Sequence, residues 1–108
     1  MDLESAKYIT VLVTCPVDKA PDLAGELVKA RLAACVNIIN GVRSIYTWKG
    51  ELCDDAEALL VVKSRAELFK ALRARVVELH PYDVPEVIAL PIAAGHAPYL
   101  DWLEESTR

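Results

Sequence analysis

The chain has 108 residues, of which 54% are hydrophobic and 26% are charged, and its net charge is −4. This length fits one domain, so we expect a single folded unit over residues 1–108. The hydrophobic fraction exceeds the roughly 45–50% of typical globular domains, so apolar surface should remain after one core is filled. No block of basic residues occurs, which argues against nucleic acid as a partner.

Membrane insertion and secretion are also disfavoured by the sequence. No apolar run approaches the roughly 20 residues that a membrane-spanning helix needs, and the opening MDLESAK lacks the basic region of a secretory signal. The three cysteines, Cys15, Cys35 and Cys53, form no C-x-x-C pair. An odd number of cysteines without that spacing argues against a disulfide framework and favours a reducing, intracellular setting. We therefore expect a cytoplasmic protein.

The first two elements follow from a β-branched run and from helical spacing. The segment YITVLVT predicts a strand over residues 8–14. Asp18 is a candidate helix cap, and the following first turn tolerates a proline. Apolar residues then recur at intervals of three and four, which predicts a helix over about residues 19–34.

A long hairpin should follow this helix. Residues 36–48 favour one kinked strand or two short collinear ones, interrupted by the Asn-Gly pair at 40–41. The Lys-Gly pair at 49–50 has the composition of a hairpin tip. The return strand holds ALLVVK at 58–63, and its apolar residues are consecutive rather than alternating. We expect both faces of this strand to be buried.

The second half predicts another helix, a strand and a final helix. A Ser-x-x-Glu capping box at 64–67 opens the helix, which should end near His80 because Pro81 disfavours helical angles in the residue before it. EVIALPI predicts a strand over 86–92, with its proline at an edge or a bulge. Gly95 then precedes a short C-terminal helix with apolar residues at helical spacing.

The element order is βαββαβ with a terminal helix, which is the α+β, ferredoxin-like pattern. This pattern places two helices on one face of a four-stranded antiparallel sheet. The other face then has no cover of its own, although the run at 58–63 presents apolar side chains to both faces. Monomers rarely expose an apolar patch of that size, so we expect an oligomer that covers it.

Metal ligands cannot be assigned from local spacing. The candidate thiol and imidazole donors are Cys15, Cys35, Cys53, His80 and His96. No two of them have a ligand spacing such as C-x-x-C or H-x-x-x-H, so a site would form only across the fold or across subunits. The alternative for His80 is a structural role at a helix C-terminus, where a cation is favoured by ~0.3–1 kcal/mol. The alternative for Cys15 is an apolar filler in a buried strand.

A small-ligand cleft is a second hypothesis. The candidate lining residues, in addition to His80, are Tyr46, Trp48, Lys63, Tyr82 and Glu86. Aromatic side chains with a few convergent polar groups are typical of binding pockets. Alternatively, Tyr46 and Trp48 are anchors of a sheet or an interface. Lys63 ends an apolar strand, so if it is buried it needs a carboxylate partner, with Glu57 and Glu86 as the candidates.

No catalytic motif accompanies these residues. A nucleophile elbow, a phosphate-binding loop and an H-E-x-x-H helix are all absent from the sequence, and His80 with Glu86 is too generic a pair to name a reaction. We therefore expect a protein that is not an enzyme and that uses no organic cofactor.

Five ordered segments, TVLVTCP, RLAACVNI, SIYTWKGEL, HPYDVPEVIALPI and YLDWL, resemble the CutA family of divalent-cation tolerance proteins over about residues 8–105. The resemblance implies a ferredoxin-like subunit, a tight homotrimer and a relation in shape to the PII signalling proteins. It also implies a part in tolerance of copper and other divalent metals, with Cys15 and His80 as the copper ligands. A PII-like sensor that binds a small anionic metabolite or a partner protein in its intersubunit clefts is the alternative function.

Overall fold

The computed structural model describes residues 6–108. The first five residues, which carry most of the segment used to argue against a secretory signal, lie outside that range. The elements are β1 (Tyr8–Cys15), α1 (Ala20–Lys29), β2 (Cys35–Trp48), β3 (Glu51–Arg65), α2 (Phe69–Leu79), β4 (Ile88–Pro91) and α3 (Ala97–Glu105). Short 3-10 turns at Val17–Lys19 and Ala66–Leu68 lead into α1 and α2.

The four strands form one sheet in the order β2-β3-β1-β4, and every neighbouring pair is antiparallel. This confirms the α+β, ferredoxin-like class that the element order predicted. Alternate residues of β1 and β3 point to one face and meet α1 and α2 there. The fully buried members of this core include Ile9, Val11, Val13, Cys15, Leu27, Ala58, Leu60, Val62, Leu72 and Val76.

The long hairpin is one bent strand followed by its return strand. β2 runs without a break, but its pairing with β3 shifts between Ile39 and Val42, where Gly41 has a φ of 80°. A left-handed φ is open to glycine, so the bulge forms at that point. At the tip, Lys49 and Gly50 have φ values of 51° and 81°, the two positive values that a type I′ turn requires.

Helix α1 is shorter than the predicted 19–34, because it ends at Lys29. Arg31 has a left-handed φ of 59°, and its carbonyl accepts a bond from the backbone of Arg108 at 3.0 Å. The predicted cap is also wrong, since Asp18 lies in a 3-10 turn and Lys19 precedes the helix without a side-chain capping bond. A contact with the far end of the chain therefore shapes this helix terminus.

The predicted capping box at 64–67 is wrong as well, because β3 continues to Arg65. The buried Ser64 hydroxyl donates instead to the carbonyl of Leu32 at 2.6 Å, and Glu67 pairs with Arg65. The end of α2 is as expected: the helix stops at Leu79, and His80 already has an extended backbone. β4 is shorter than 86–92, because it pairs only with residues 9–12 of β1.

Helix α3 lies on the opposite face of the sheet, which was predicted to be bare. Arg65 points to that face, and its Nε donates to the Thr107 hydroxyl at 2.7 Å just beyond α3. Leu103 of α3 is fully buried, but it is outside the core under α1 and α2. The remainder of this face, here called the open face, still exposes apolar side chains. Its most exposed members are Ile39 at 48%, Ile88 at 50% and Leu90 at 48%.

Candidate functional site

His80 is held in one orientation at the end of α2. Pro81 ends the helix, so the His80 backbone turns away from helical angles and the ring reaches the end of β1. Its Nε2 lies 2.7 Å from the carbonyl oxygen of Thr14, and its Nδ1 accepts the backbone N–H of Tyr82 at 3.1 Å. Because a carbonyl can only accept, the ring proton is on Nε2. The lone pair that accepts the Tyr82 N–H is on Nδ1.

Tyr82 joins this histidine to a buried carboxylate. The Tyr82 and His80 rings lie 4.7 Å apart between centroids, and the Tyr82 hydroxyl donates to Oε2 of Glu57 at 2.9 Å. Glu57 is only 4% exposed. Burial and the hydrogen bond to Glu57 together raise the pKa of Tyr82 to about 12. The hydroxyl therefore remains a donor at neutral pH.

Two further predicted residues lie around Glu57. Cys15 is fully buried at the end of β1, where burial first and the Glu57 charge second raise the pKa of its thiol. Burial and the Glu57 charge also raise the pKa of the Glu86 carboxyl. Glu57 was considered from sequence only as a partner for Lys63. Its position on β3 directly before a buried apolar run was the available signal that the carboxylate would be buried.

Lys63 does not join this cluster. It lies on the open face six residues further along β3 than Glu57, about 20 Å away at the usual rise of a strand. It is only partly buried, and its ammonium group donates to Oδ1 of Asn37. Because Lys63 is not fully buried, the condition under which it would need Glu57 or Glu86 is not met, and Asn37 of the neighbouring strand supplies an amide oxygen as its partner.

The two aromatic residues of the hairpin lie outward from the cluster. The Tyr46 hydroxyl donates to the carboxylate of Asp55, which raises the pKa of Tyr46 well above its ordinary value. Trp48 is 43% exposed near the hairpin tip, with the Lys49 ammonium 5.8 Å from its ring centroid. Within one chain, Tyr82 and Glu86 are thus the two residues of the predicted cleft that share the surroundings of Glu57.

The side chains of His80 and Cys15 offer donors of the kind that a soft metal ion prefers. Thiolate and imidazole suit copper or zinc, and the bond from Nε2 to a backbone carbonyl is the orienting contact that metal-binding histidines usually make. That contact leaves Nδ1 as the nitrogen that could face a metal. Over residues 6–108, however, no group of three or more His, Cys, Asp or Glu side chains is arranged to hold an ion. Within that part of one subunit, His80 and Cys15 therefore do not belong to a complete ion site.

Comparison with known proteins assigns a family. The family model of the CutA1 divalent ion tolerance protein matches residues 9–106. A divalent-cation tolerance protein CutA from Thermus thermophilus is 54% identical over 98 residues, covering 90% of this chain and 95% of that protein. A chloroplastic CutA 1 protein from rice is 52% identical over 93% of this chain, which spans only 57% of the rice protein.

Solved structures agree with these relatives. The Thermus thermophilus protein superposes with a TM-score of 0.90, at 52% identity and with 94% of this chain and 99% of that chain covered. The crystal structure of CutA1 from Oryza sativa gives a TM-score of 0.92 at 49% identity, with 95% of each chain covered. A CutA from Archaeoglobus fulgidus, described as periplasmic, gives 0.89 at 34% identity and covers 92% of this chain and 97% of that one. Relatives thus carry different compartment names, and no helix over residues 6–108 is long and apolar enough to cross a membrane.

Proposed function

This chain belongs to the CutA family of divalent-ion tolerance proteins, and from that premise we propose that it is a homotrimer that responds to divalent metal ions and binds copper weakly through His80 and Cys15. The observation that carries the metal part is the orientation of His80. Its Nε2–H is committed to the Thr14 carbonyl, so Nδ1 is the nitrogen available to a metal. Copper bound there would be held by an imidazole and a thiolate, both of which are soft enough to favour it.

Weak binding is expected from the same geometry. A metal must displace the Tyr82 N–H from Nδ1 and must bind the thiolate form of Cys15. Burial raises the pKa of that thiol, so forming the thiolate costs free energy at neutral pH. Two donors from one subunit also leave coordination positions that water or a second subunit would fill.

Calorimetric titration with Cu²⁺ tests the metal part. We expect a heat of binding in the wild-type protein and its loss in His80→Gln and in Cys15→Ser. His96→Gln is the matched control, because His96 is the other histidine and precedes α3, shortly after Ile92, which bonds to Tyr8 at the end of β1 opposite Cys15. Equal heats in the wild-type and His80→Gln proteins would remove His80 from the account.

The trimer is supported by the open face. Ile39 of β2 and Ile88 and Leu90 of β4 lie on the two edge strands of that face, and each is about half exposed in the isolated subunit. Burial of an apolar face of this kind favours association. Light scattering should give a mass of about three times the 11.9 kDa subunit, and a mass equal to one subunit would refute the proposal.

A PII-like sensor remains the second candidate, and the shared ferredoxin-like fold favours it only by analogy. The charges around Tyr82 disfavour a small anion there, because Glu57, Glu86 and Asp55 make that end of the sheet acidic. A thermal-shift screen of anionic metabolites and divalent metals separates the two candidates. Stabilisation by metals alone would refute the sensor.

We also propose that the protein has no catalytic activity and resides in a reducing compartment, the cytoplasm. Both nitrogens of His80 are engaged with backbone groups, and the thiol of Cys15 is buried with a raised pKa, so neither is poised for proton transfer or attack. The cysteines at 15, 35 and 53 are all free thiols, which suits such a compartment.

A further inference from the structure

We propose that Tyr82 is a latch residue, which holds the 81–86 loop closed over His80, at the end of β1 that carries Cys15. The inference rests on the proposed function, because it concerns how a soft metal ion gains access to this pair. It deepens that function by assigning the control of access to one residue with two separate anchors, one in its backbone and one in its side chain.

The first anchor is the backbone of Tyr82. Its N–H donates to His80 Nδ1 at 3.1 Å and so occupies the lone pair that a metal would need. The bond from His80 Nε2 to the Thr14 carbonyl is on the other side of the ring. The ring can therefore stay in place when the loop opens, and only the contact with Tyr82 must break.

The second anchor is the side chain of Tyr82. Its hydroxyl donates to the buried carboxylate of Glu57 at 2.9 Å, and its ring packs against that of His80. The rest of the loop adds little, since Val84 is 68% exposed and Asp83 is exposed too. A hydrogen bond to a charged acceptor is stronger than a neutral one, so this bond should dominate loop closure.

Cys15 provides the means to observe the latch. Its side chain is fully buried, and it directly follows Thr14, whose carbonyl accepts the His80 Nε2–H. A reagent or metal in water reaches such a thiol only during a local opening. Where opening and closing are fast, the rate of thiol modification reports the population of the open form.

The experiment is thiol labelling in a background with Cys35→Ser and Cys53→Ser, which leaves Cys15 as the single thiol. We expect the Cys15 thiol to be labelled about tenfold faster in Tyr82→Phe than in its parent. A factor of ten corresponds to about 1.4 kcal/mol, which is the size of one charge-assisted hydrogen bond. Tyr8→Phe is the matched control, because it makes the same change at the opposite end of β1. Its labelling rate should equal that of the parent.

Global destabilisation must be separated from loop opening. Amide hydrogen exchange provides the distinction, since the Tyr82 N–H should exchange faster in Tyr82→Phe while the amides of β1 and β3 stay protected. Faster exchange throughout the sheet would overturn the latch and assign a general structural role to Tyr82. Unchanged labelling of Cys15 in Tyr82→Phe would overturn it as well.

The metal is tested separately with Cu²⁺ alone, in the protein with all three cysteines. If the latch competes with the metal, Tyr82→Phe should bind Cu²⁺ about tenfold more tightly than the wild type. Faster labelling of Cys15 together with no heat of Cu²⁺ binding in either protein would support the latch and refute the metal site. Cu²⁺ binding of equal affinity in both proteins, with unchanged labelling, would support the metal site and refute the latch.

Discussion

Replacing Ile88 with aspartate should dissociate the proposed trimer. Ile88 lies on β4, opposite Leu12 of β1, and its side chain is 50% exposed in the isolated subunit. Full burial of an isoleucine contributes about 1.5–3 kcal/mol, so burying the remaining half would contribute about 1 kcal/mol per subunit. An aspartate in the same place would lose that contribution and would also bring an unpaired carboxylate into the interface, at a cost of several kcal/mol.

The loss is multiplied by symmetry. At about 3 kcal/mol per subunit, three equivalent substitutions weaken a trimer by about 9 kcal/mol, which lowers its association constant by more than six orders of magnitude. Ile88→Asp should therefore behave as a subunit of 11.9 kDa at micromolar concentration in sedimentation velocity or light scattering. The subunit fold should survive, because Ile88 is outside the core under α1 and α2.

Val77→Asp is the matched control for this experiment. Val77 is 51% exposed, almost the same as Ile88, but it lies on α2 on the covered side of the sheet. This variant should cost about 1–2 kcal/mol, from the lost burial of the covered half of the side chain and from a carboxylate in the last turn of α2, and should leave the assembly intact. The reasoning is refuted if Ile88→Asp keeps the wild-type mass, or if both variants dissociate alike.

Three further predictions concern stability. The pKa of Tyr82 is raised from 10.0 to about 12, so its stabilising contribution is complete below pH 10.0 and is lost as the pH rises through about 12. With Tyr82 37% exposed, we expect this contribution to be about 1 kcal/mol after allowance for solvent screening. Urea unfolding of the wild-type and Tyr82→Phe proteins across that pH range measures this contribution. Parallel plots of unfolding free energy against pH for the two proteins would count against it. Ser64→Ala should cost about 1–3 kcal/mol, since the buried carbonyl of Leu32 loses its donor; a thermal midpoint equal to that of the wild type would contradict this. Gly50→Ala should destabilise by about 1–2 kcal/mol at a φ of 81°, whereas Gly25→Ala inside α1, also with open space around the new methyl group, should stabilise by about 0.5–1 kcal/mol. Shifts of the same sign in both glycine variants would contradict the backbone argument.

Local signals were sufficient for most of the secondary structure. Pro81 predicted the end of α2 to within a residue, because its ring acts on the residue directly before it. The two glycines of the hairpin, Gly41 and Gly50, predicted the bend and the tip, because each supplies a left-handed φ. These effects act within one or two residues, so the rest of the chain does not change them.

Local signals failed where a distant segment competes for the same groups. The Ser64 hydroxyl could cap a helix, but it serves the carbonyl of Leu32, which is 32 residues away. The apolar spacing of residues 19–34 continues past the real end of α1, because Leu32 and Ala33 fill the core from a turn instead of a helix. Burial alone therefore does not distinguish a helical apolar residue from one in a packed turn.

The candidate site shows the same division. The sequence by itself determined that His80 ends a helix, that Cys15 ends a strand, and that one sheet face keeps exposed apolar side chains, since each follows from local chemistry and alternation. Only the tertiary structure decided that Glu57, 25 residues before Tyr82 in the chain, accepts the hydrogen bond from the Tyr82 hydroxyl. The reason is that strand register and the docking of α2 determine which side chains meet, and these depend on the whole core at once.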